Sequence, residues 1–160
     1  MTGRDMSTPL EQLIGTIAGV RVHTYDTIYD MLVTTERVVL ALVQHPQDIP
    51  ASSGMAEMLV GRWLANRWER VERAKLAEKR RRAYHDMMAD EVLAGDRRNF
   101  QLPYADIERV RVNKGLFGAK LVFHLTPAKG ISHQRMLFLG KEQVPEAKRL
   151  LGRAIPLKLA

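Results

Sequence analysis

The chain has 160 residues, of which 46% are apolar, a formal net charge of +7 and no cysteine. That composition fits a single globular domain with a core of its own, and it excludes disulfides, thiolate metal sites and cysteine nucleophiles. No stretch approaches the roughly 18 apolar residues of a membrane span, and Met1 to Asp5 lacks the apolar run of a secretory signal, so no transmembrane segment and a cytoplasmic location are expected.

In chain order, Thr8-Pro9-Leu10-Glu11 has the form of a helix start, with Thr8 able to accept from the backbone, Glu11 able to bond back and Pro9 preset at the first helical position. Leu10, Leu13, Ile14 and Ile17 would share one face and Gly19 would cap the end, which predicts a short N-terminal helix. From Val20 the pattern changes. Val20 and Val22 alternate with Arg21 and His23, and Ile28 to Thr34 and Val38 to Val43 are β-branched apolar runs separated only by Thr35-Glu36-Arg37, the pattern of an antiparallel hairpin. His45 to Gly54 reads as a loop.

Met55 to Leu93 contains no proline and only Gly61, which predicts one long helix or two nearly continuous ones. At about 1.5 Å per residue it would reach roughly 55 to 60 Å, beyond the diameter of a small domain, so part of it must project or meet another chain. The basic excess is concentrated here: Arg62, Arg67, Arg70, Arg73, Lys75, Lys79, Arg80, Arg81 and Arg82 stand against Glu69, Glu72 and Glu78. Such a field attracts acidic partners, although exposed helices with this composition are common. Trp63 and Trp68, interleaved with arginines, suit a protein interface, base stacking or a lipid interface, and packing on the sheet accounts for them equally. The apolar residues fall into two patches on different sides of an ideal helix. Leu64, Trp68 and Val71 form the first; Leu76, Tyr84, Met87 and Met88 form the second. One sheet covers one patch, so Leu64, Trp68, Val71, Tyr84, Met87 and Met88 are the interface candidates.

Strand signals return after Gly95. Ile107 to Asn113 alternates Val110 and Val112 with Arg109 and Arg111; Gly115-Leu116-Phe117-Gly118 turns the chain into Lys120 to Thr126, and a loop through Pro127 and Gly130 leads to Gln134 to Leu139. A last helix from about Glu142 to Leu151 presents Val144, Ala147 and Leu151 on one face and stops at Gly152. The expected domain is thus a single α+β unit over 1–160, with sheet segments at about 20–44 and 102–140, a C-terminal helix over 142–152 and a helical insertion over 55–98.

The hairpin Leu32-Val33-Thr34-Thr35-Glu36-Arg37-Val38-Val39-Leu40, the strand entry Leu102-Pro103-Tyr104-Ala105-Asp106-Ile107-Glu108-Arg109-Val110, the turn Lys114-Gly115-Leu116-Phe117-Gly118 and the final amphipathic helix together resemble bacterial and archaeal pleckstrin-homology-like domains. The resemblance implies a bent antiparallel sheet, or open barrel, with the C-terminal helix plugging one end. It covers about 28–43 and 102–153. The insertion departs from the family, and Val20 to Met31 offers Arg21 beside Asp26 and Asp30, which argues against a phosphoinositide headgroup site. A family fold of many uses implies a binding role by analogy.

No nucleophile with a base, paired carboxylates, metal cluster or phosphate loop occurs at a diagnostic spacing. His85, Asp86, Asp90 and Glu91 gather late in the insertion, but Arg80 to Arg82 oppose a cation there, so neither metal nor cofactor is expected. The sequence therefore points to a non-catalytic interaction or scaffolding module that binds itself or another protein through the long helix. The alternative is weak, sequence-independent nucleic-acid binding by the basic helix over 62–82. The two ends are expected to fold together without the insertion.

Overall fold

The computed structural model describes residues 9–22, 27–48, 54–128 and 131–160, with the backbone alone for 54–60, 62–65, 128, 131 and 132. Seven strands form one antiparallel sheet: β1 (Leu13–Arg21), β2 (Ile28–Thr34), β3 (Arg37–Gln44), β4 (Phe100–Pro103), β5 (Ile107–Lys114), β6 (Ala119–Ala128) and β7 (Ile131–Leu139). Among the described residues three α-helices accompany them: α1 (Gly54–His85) and α2 (Ala89–Gly95) lie between β3 and β4, and α3 (Val144–Ala154) follows β7. The predicted loop positions 49–53 and 129–130 and the proposed cap at Thr8 lie outside the described residues.

The strand order is β4-β3-β2-β1-β7-β6-β5, and the sheet is not closed. Its two edge strands, β4 and β5, are nevertheless joined by Tyr104–Asp106 alone. A flat seven-stranded sheet is about 29 Å across, whereas four Cα steps reach about 15 Å at most, so the sheet must curl to bring its edges together. The edge of β5 takes up the end of the chain: the Val110 N–H donates to Lys158 O and the Ala160 N–H to Val110 O, each at 2.8 Å. Across the seam the Tyr104 hydroxyl donates to Thr34 O at 2.6 Å and Lys158 Nζ donates to Tyr104 O at 2.6 Å.

The concave side of this curl is the core. Met31, Val33, Val38, Leu40, Leu42, Phe123 and Leu137 point inward from the strands, and Val144, Ala147, Leu150 and Leu151 of α3 cover them. Close approach of α3 explains Gly15, since a Cβ there would lie 2.5 Å from Leu150 Cδ2. The β2–β3 hairpin forms where expected, its turn tied by the Arg37 and Glu36 N–H groups donating to Thr34 Oγ1 at 3.0 and 3.2 Å.

The N-terminal helix is not formed. Residues from Leu13 to Arg21 are strand β1, paired with β2 in a register running from Leu13↔Thr34 to Arg21↔Ile28. The helical periodicity of Leu13, Ile14 and Ile17 is misleading because β1 slips register twice, between Leu13 and Gly15 and between Ile17 and Val20, which breaks strict alternation. Gly19 does adopt a positive φ of 74°, but in this bulge and not at a helix end. The sheet consequently begins at residue 13, earlier than the sequence pattern indicated.

The insertion also contributes to the core more than expected. Val38 to Val43 is apolar at every position because both faces of β3 are covered. Val38, Leu40 and Leu42 face α3's core, while Val39 and Ala41 pack beneath Val92 with Leu32, Tyr84, Met87, Ala89 and Leu93. The sheet's convex side is therefore sealed by the insertion over β3.

Candidate interaction surface

The insertion is held by side chains at its inner end. Asp30 is a buried carboxylate in the otherwise apolar run of β2. Its Oδ2 accepts from Arg81 Nε at 2.8 Å, while Oδ1 accepts from Arg81 Nη2 at 3.1 Å and from the Gly19 N–H at 3.0 Å. One carboxylate thus satisfies the amide exposed by the β1 bulge and fixes α1. Arg80 makes a second fork, with Nη1 and Nη2 donating to the two oxygens of Asp48 at 2.6 and 2.8 Å and Nη1 also donating to Val43 O at 3.0 Å. Paired donors of this kind fix orientation as well as position.

Asn99 joins three elements from a buried position. Its Oδ1 accepts from the Leu42 N–H at 2.7 Å, and its Nδ2 donates to Val92 O at 2.7 Å and to the Tyr84 hydroxyl at 3.3 Å. That hydroxyl in turn donates to Leu42 O at 3.2 Å. Arg37 closes the far side, donating to Glu11 at 2.8 Å, to Asp90 at 2.7 Å and to Gln101 at 2.7 Å.

The charges respond to these contacts. Burial raises the Asp48 carboxyl, but hydrogen bonds from Arg80 and the His45 N–H outweigh it and leave the pKa below its ordinary value. The Arg98 side chain holds the Asp96 carboxyl at about 2, and the hydrogen bond from Arg37 lowers that of Glu11. Burial pushes the Tyr104 phenol upward.

Beyond this anchor the helix is less covered. Gly61 breaks α1 with φ 74° and ψ 145°, and from Asn66 to Lys75 the side chains are exposed or half-buried. Trp68 is 57% and Val71 45% exposed. At about 100° per residue, the nine steps from Trp68 to Ala77 amount to about two and a half turns, so Trp68 lies on the side of the helix opposite buried Ala77. A shallow groove of about 560 Å³ runs along this outer side, lined by Val71, Ala74, Lys75, Glu78, Lys79 and Arg82.

The six interface candidates divide accordingly. Trp68 and Val71 are exposed together on the arm; Tyr84 and Met87 are half-buried against β3 and belong to the anchor; Met88 is 59% exposed at the start of α2. The side chain of Leu64, like those of Arg62 and Trp63, lies outside the described residues. The basic segment is likewise not one field. Arg80 and Arg81 are committed to the sheet, Lys75 pairs with Glu72 and Arg82 with Glu78 at 3.3 Å each, and Arg70 Nε donates to Asn66 O at 3.4 Å. Arg67 and Lys79 are exposed and Arg73 is half-buried.

Asp30, Asp48, Asn99 and Arg37 were missed as anchors by sequence reasoning. Asp30 carried a signal: a carboxylate inside an apolar strand needs a buried partner, and an arginine was the available kind. Asp48 and Asn99 sit in turns and look like ordinary loop residues. Of the late cluster, His85 Nδ1 and Asp86 Oδ1 are 3.1 Å apart and Asp90 is paired with Arg37. Among the described residues no three His, Asp or Glu side chains converge on a metal-sized site, and no helix is long and apolar enough to cross a membrane. In comparisons with known proteins, no family model, no curated protein and no solved structure matches the chain.

Proposed function

We propose that this protein is a non-catalytic interaction or scaffolding module, of pleckstrin-homology-like fold and cytoplasmic location, that self-associates through the outer side of α1. Support for the fold comes from the order of elements: a meander of β1 to β3 extended by β4, a second meander of β5 to β7, and a C-terminal helix over the core. The observation that carries the self-association is the exposure of Trp68 and Val71 on the side of α1 turned away from its own sheet. Full burial of a large apolar side chain contributes on the order of 1.5 to 3 kcal/mol, and this chain's sheet does not reach that side.

A second copy is the occupant that the charges favour. Glu69, Glu72 and Glu78 alternate with Arg67, Arg70, Arg73, Lys75 and Lys79, so two arms crossing antiparallel set acids against bases in both directions. Light scattering coupled to size exclusion should give a dimer mass at micromolar concentration, and Trp68→Glu should give a monomer with unchanged far-UV circular dichroism. A monomeric mass for the unaltered protein refutes the reading. DNA or RNA binding, followed by fluorescence anisotropy, should be weak and should fall steeply with salt; sub-micromolar, sequence-selective binding at about 0.15 M salt would favour a nucleic-acid role instead.

A further inference from the structure

A second surface lies on the other half of the sheet, unconnected with the arm. Leu116 and Phe117 occupy the tip of the β5–β6 hairpin, where they are 83% and 99% exposed. The tip is held firmly: the Gly115 N–H donates to Gly118 O at 2.7 Å, and a Cβ on Gly118 would lie 2.8 Å from Leu139 O. Only glycine lets the hairpin sit this close to β7, so the two apolar side chains project from a seated turn.

Around the base of the tip runs an open groove of about 1050 Å³, whose lining includes Arg21, Lys114, Lys120 and Lys141 against the single carboxylate of Glu142. Behind it the outer face of β6 and β7 carries apolar side chains beside basic ones. Lys120 pairs with Phe138 and Val122 with Met136 across β6 and β7, and Phe138 and Met136 are 36% and 40% exposed. Lys120 Nζ lies 5.7 Å from the centre of the Phe138 ring, so its charge is carried over an apolar surface.

An apolar point with a basic collar matches a partner that is acidic at its surface and apolar just beneath. We propose that the β5–β6 tip docks on an anionic phospholipid bilayer, with Leu116 and Phe117 entering the acyl region and Lys114, Lys120 and Lys141 facing the headgroup phosphates. A bilayer has this layering everywhere, whereas leucine at a tip adds nothing to stacking on nucleic-acid bases. Each basic residue near an anionic leaflet contributes about fivefold to partitioning, and each large apolar side chain that enters contributes roughly tenfold or more.

Co-sedimentation with phosphatidylcholine vesicles, with and without phosphatidylserine, tests this on the full chain. Binding is expected only with phosphatidylserine and should weaken as salt rises. Leu116→Ser with Phe117→Ser should lower partitioning by at least about tenfold. Lys114→Glu with Lys120→Glu should do the same by charge, which keeps the test decisive should one variant misfold. Failure to sediment with phosphatidylserine vesicles overturns the proposal. Binding undiminished by the tip substitutions also overturns it, moving the contact to the arm. Preferential capture of a single-stranded oligonucleotide, abolished by those substitutions, would assign the surface to nucleic acid.

Discussion

From Asn66 to Lys75, α1 carries Arg67, Arg70, Arg73 and Lys75 with Glu69 and Glu72; from Leu76 to His85 it carries Lys79, Arg80, Arg81 and Arg82 with Glu78. The two stretches are close in composition and opposite in use. In the inner one, two consecutive arginines reach carboxylates placed beneath them by β2 and by the turn after β3, and the charge becomes structural. In the outer one the side chains are exposed or half-buried, and the same residue types surround exposed Trp68 and Val71. Local charge density therefore says little about binding until the placement of the opposing carboxylates is known.

The most severe test of this division is removal of the insertion. Excising 54–98 would uncover Val39 and Ala41, both fully buried, and would take Val92 and Tyr84 away from Asn99. The remaining sheet should lose its cooperative urea transition and near-UV circular dichroism. A sharp transition in that variant would return the whole insertion to the status of a projecting arm. Next, Asn99→Ala should cost about 3 kcal/mol, because it leaves the Leu42 N–H and the Val92 carbonyl buried without partners. A change below about 1 kcal/mol would mean that water replaces the side chain.

Asp48→Asn should cost about 2 kcal/mol at neutral pH by weakening the fork to Arg80. The carboxyls of Asp48 and Asp96 have lowered pKa values when folded, so on acidification the unfolded chain takes up protons first and stability falls. The difference between parent and variant should be constant above about pH 5 and shrink toward pH 2, as urea midpoints would record. An unchanged difference at acid pH would exclude the ion pair as its source. The smallest effect belongs to the arm: Trp68→Glu should alter monomer stability by no more than about 0.5 kcal/mol. A larger loss would place Trp68 against its own sheet.

Much of the architecture was legible because alternation and turn chemistry agree along the chain. The hairpin at Thr35-Glu36, the turn at Gly115–Gly118 and the face of α3 each carry one unmixed pattern. Strand β1 was illegible because its bulge imitates helical spacing and because Gly19 serves two kinds of backbone equally well. The covering of β3 was readable in the six unbroken apolar residues Val38 to Val43, had their lack of alternation been weighed. Half of the candidate surface followed from periodicity, which separates Trp68 and Val71 from Tyr84. The other half, the engagement of Arg80 and Arg81, depends on Asp48 meeting Arg80 and Asp30 meeting Arg81 across long sequence gaps, a relation that one-dimensional patterning does not contain.

The pairing of β3 with β4 has a kinetic consequence. Leu40 meets Phe100 and Arg37 meets Pro103, although the whole insertion separates the two strands in sequence. The meanders β1 to β3 and β5 to β7 close through short connections, whose entropy cost is small, whereas docking β4 waits on a far longer loop. The two meanders are therefore the early units of folding, and β4 condenses last, carrying the insertion onto the outer face of β3 as it arrives.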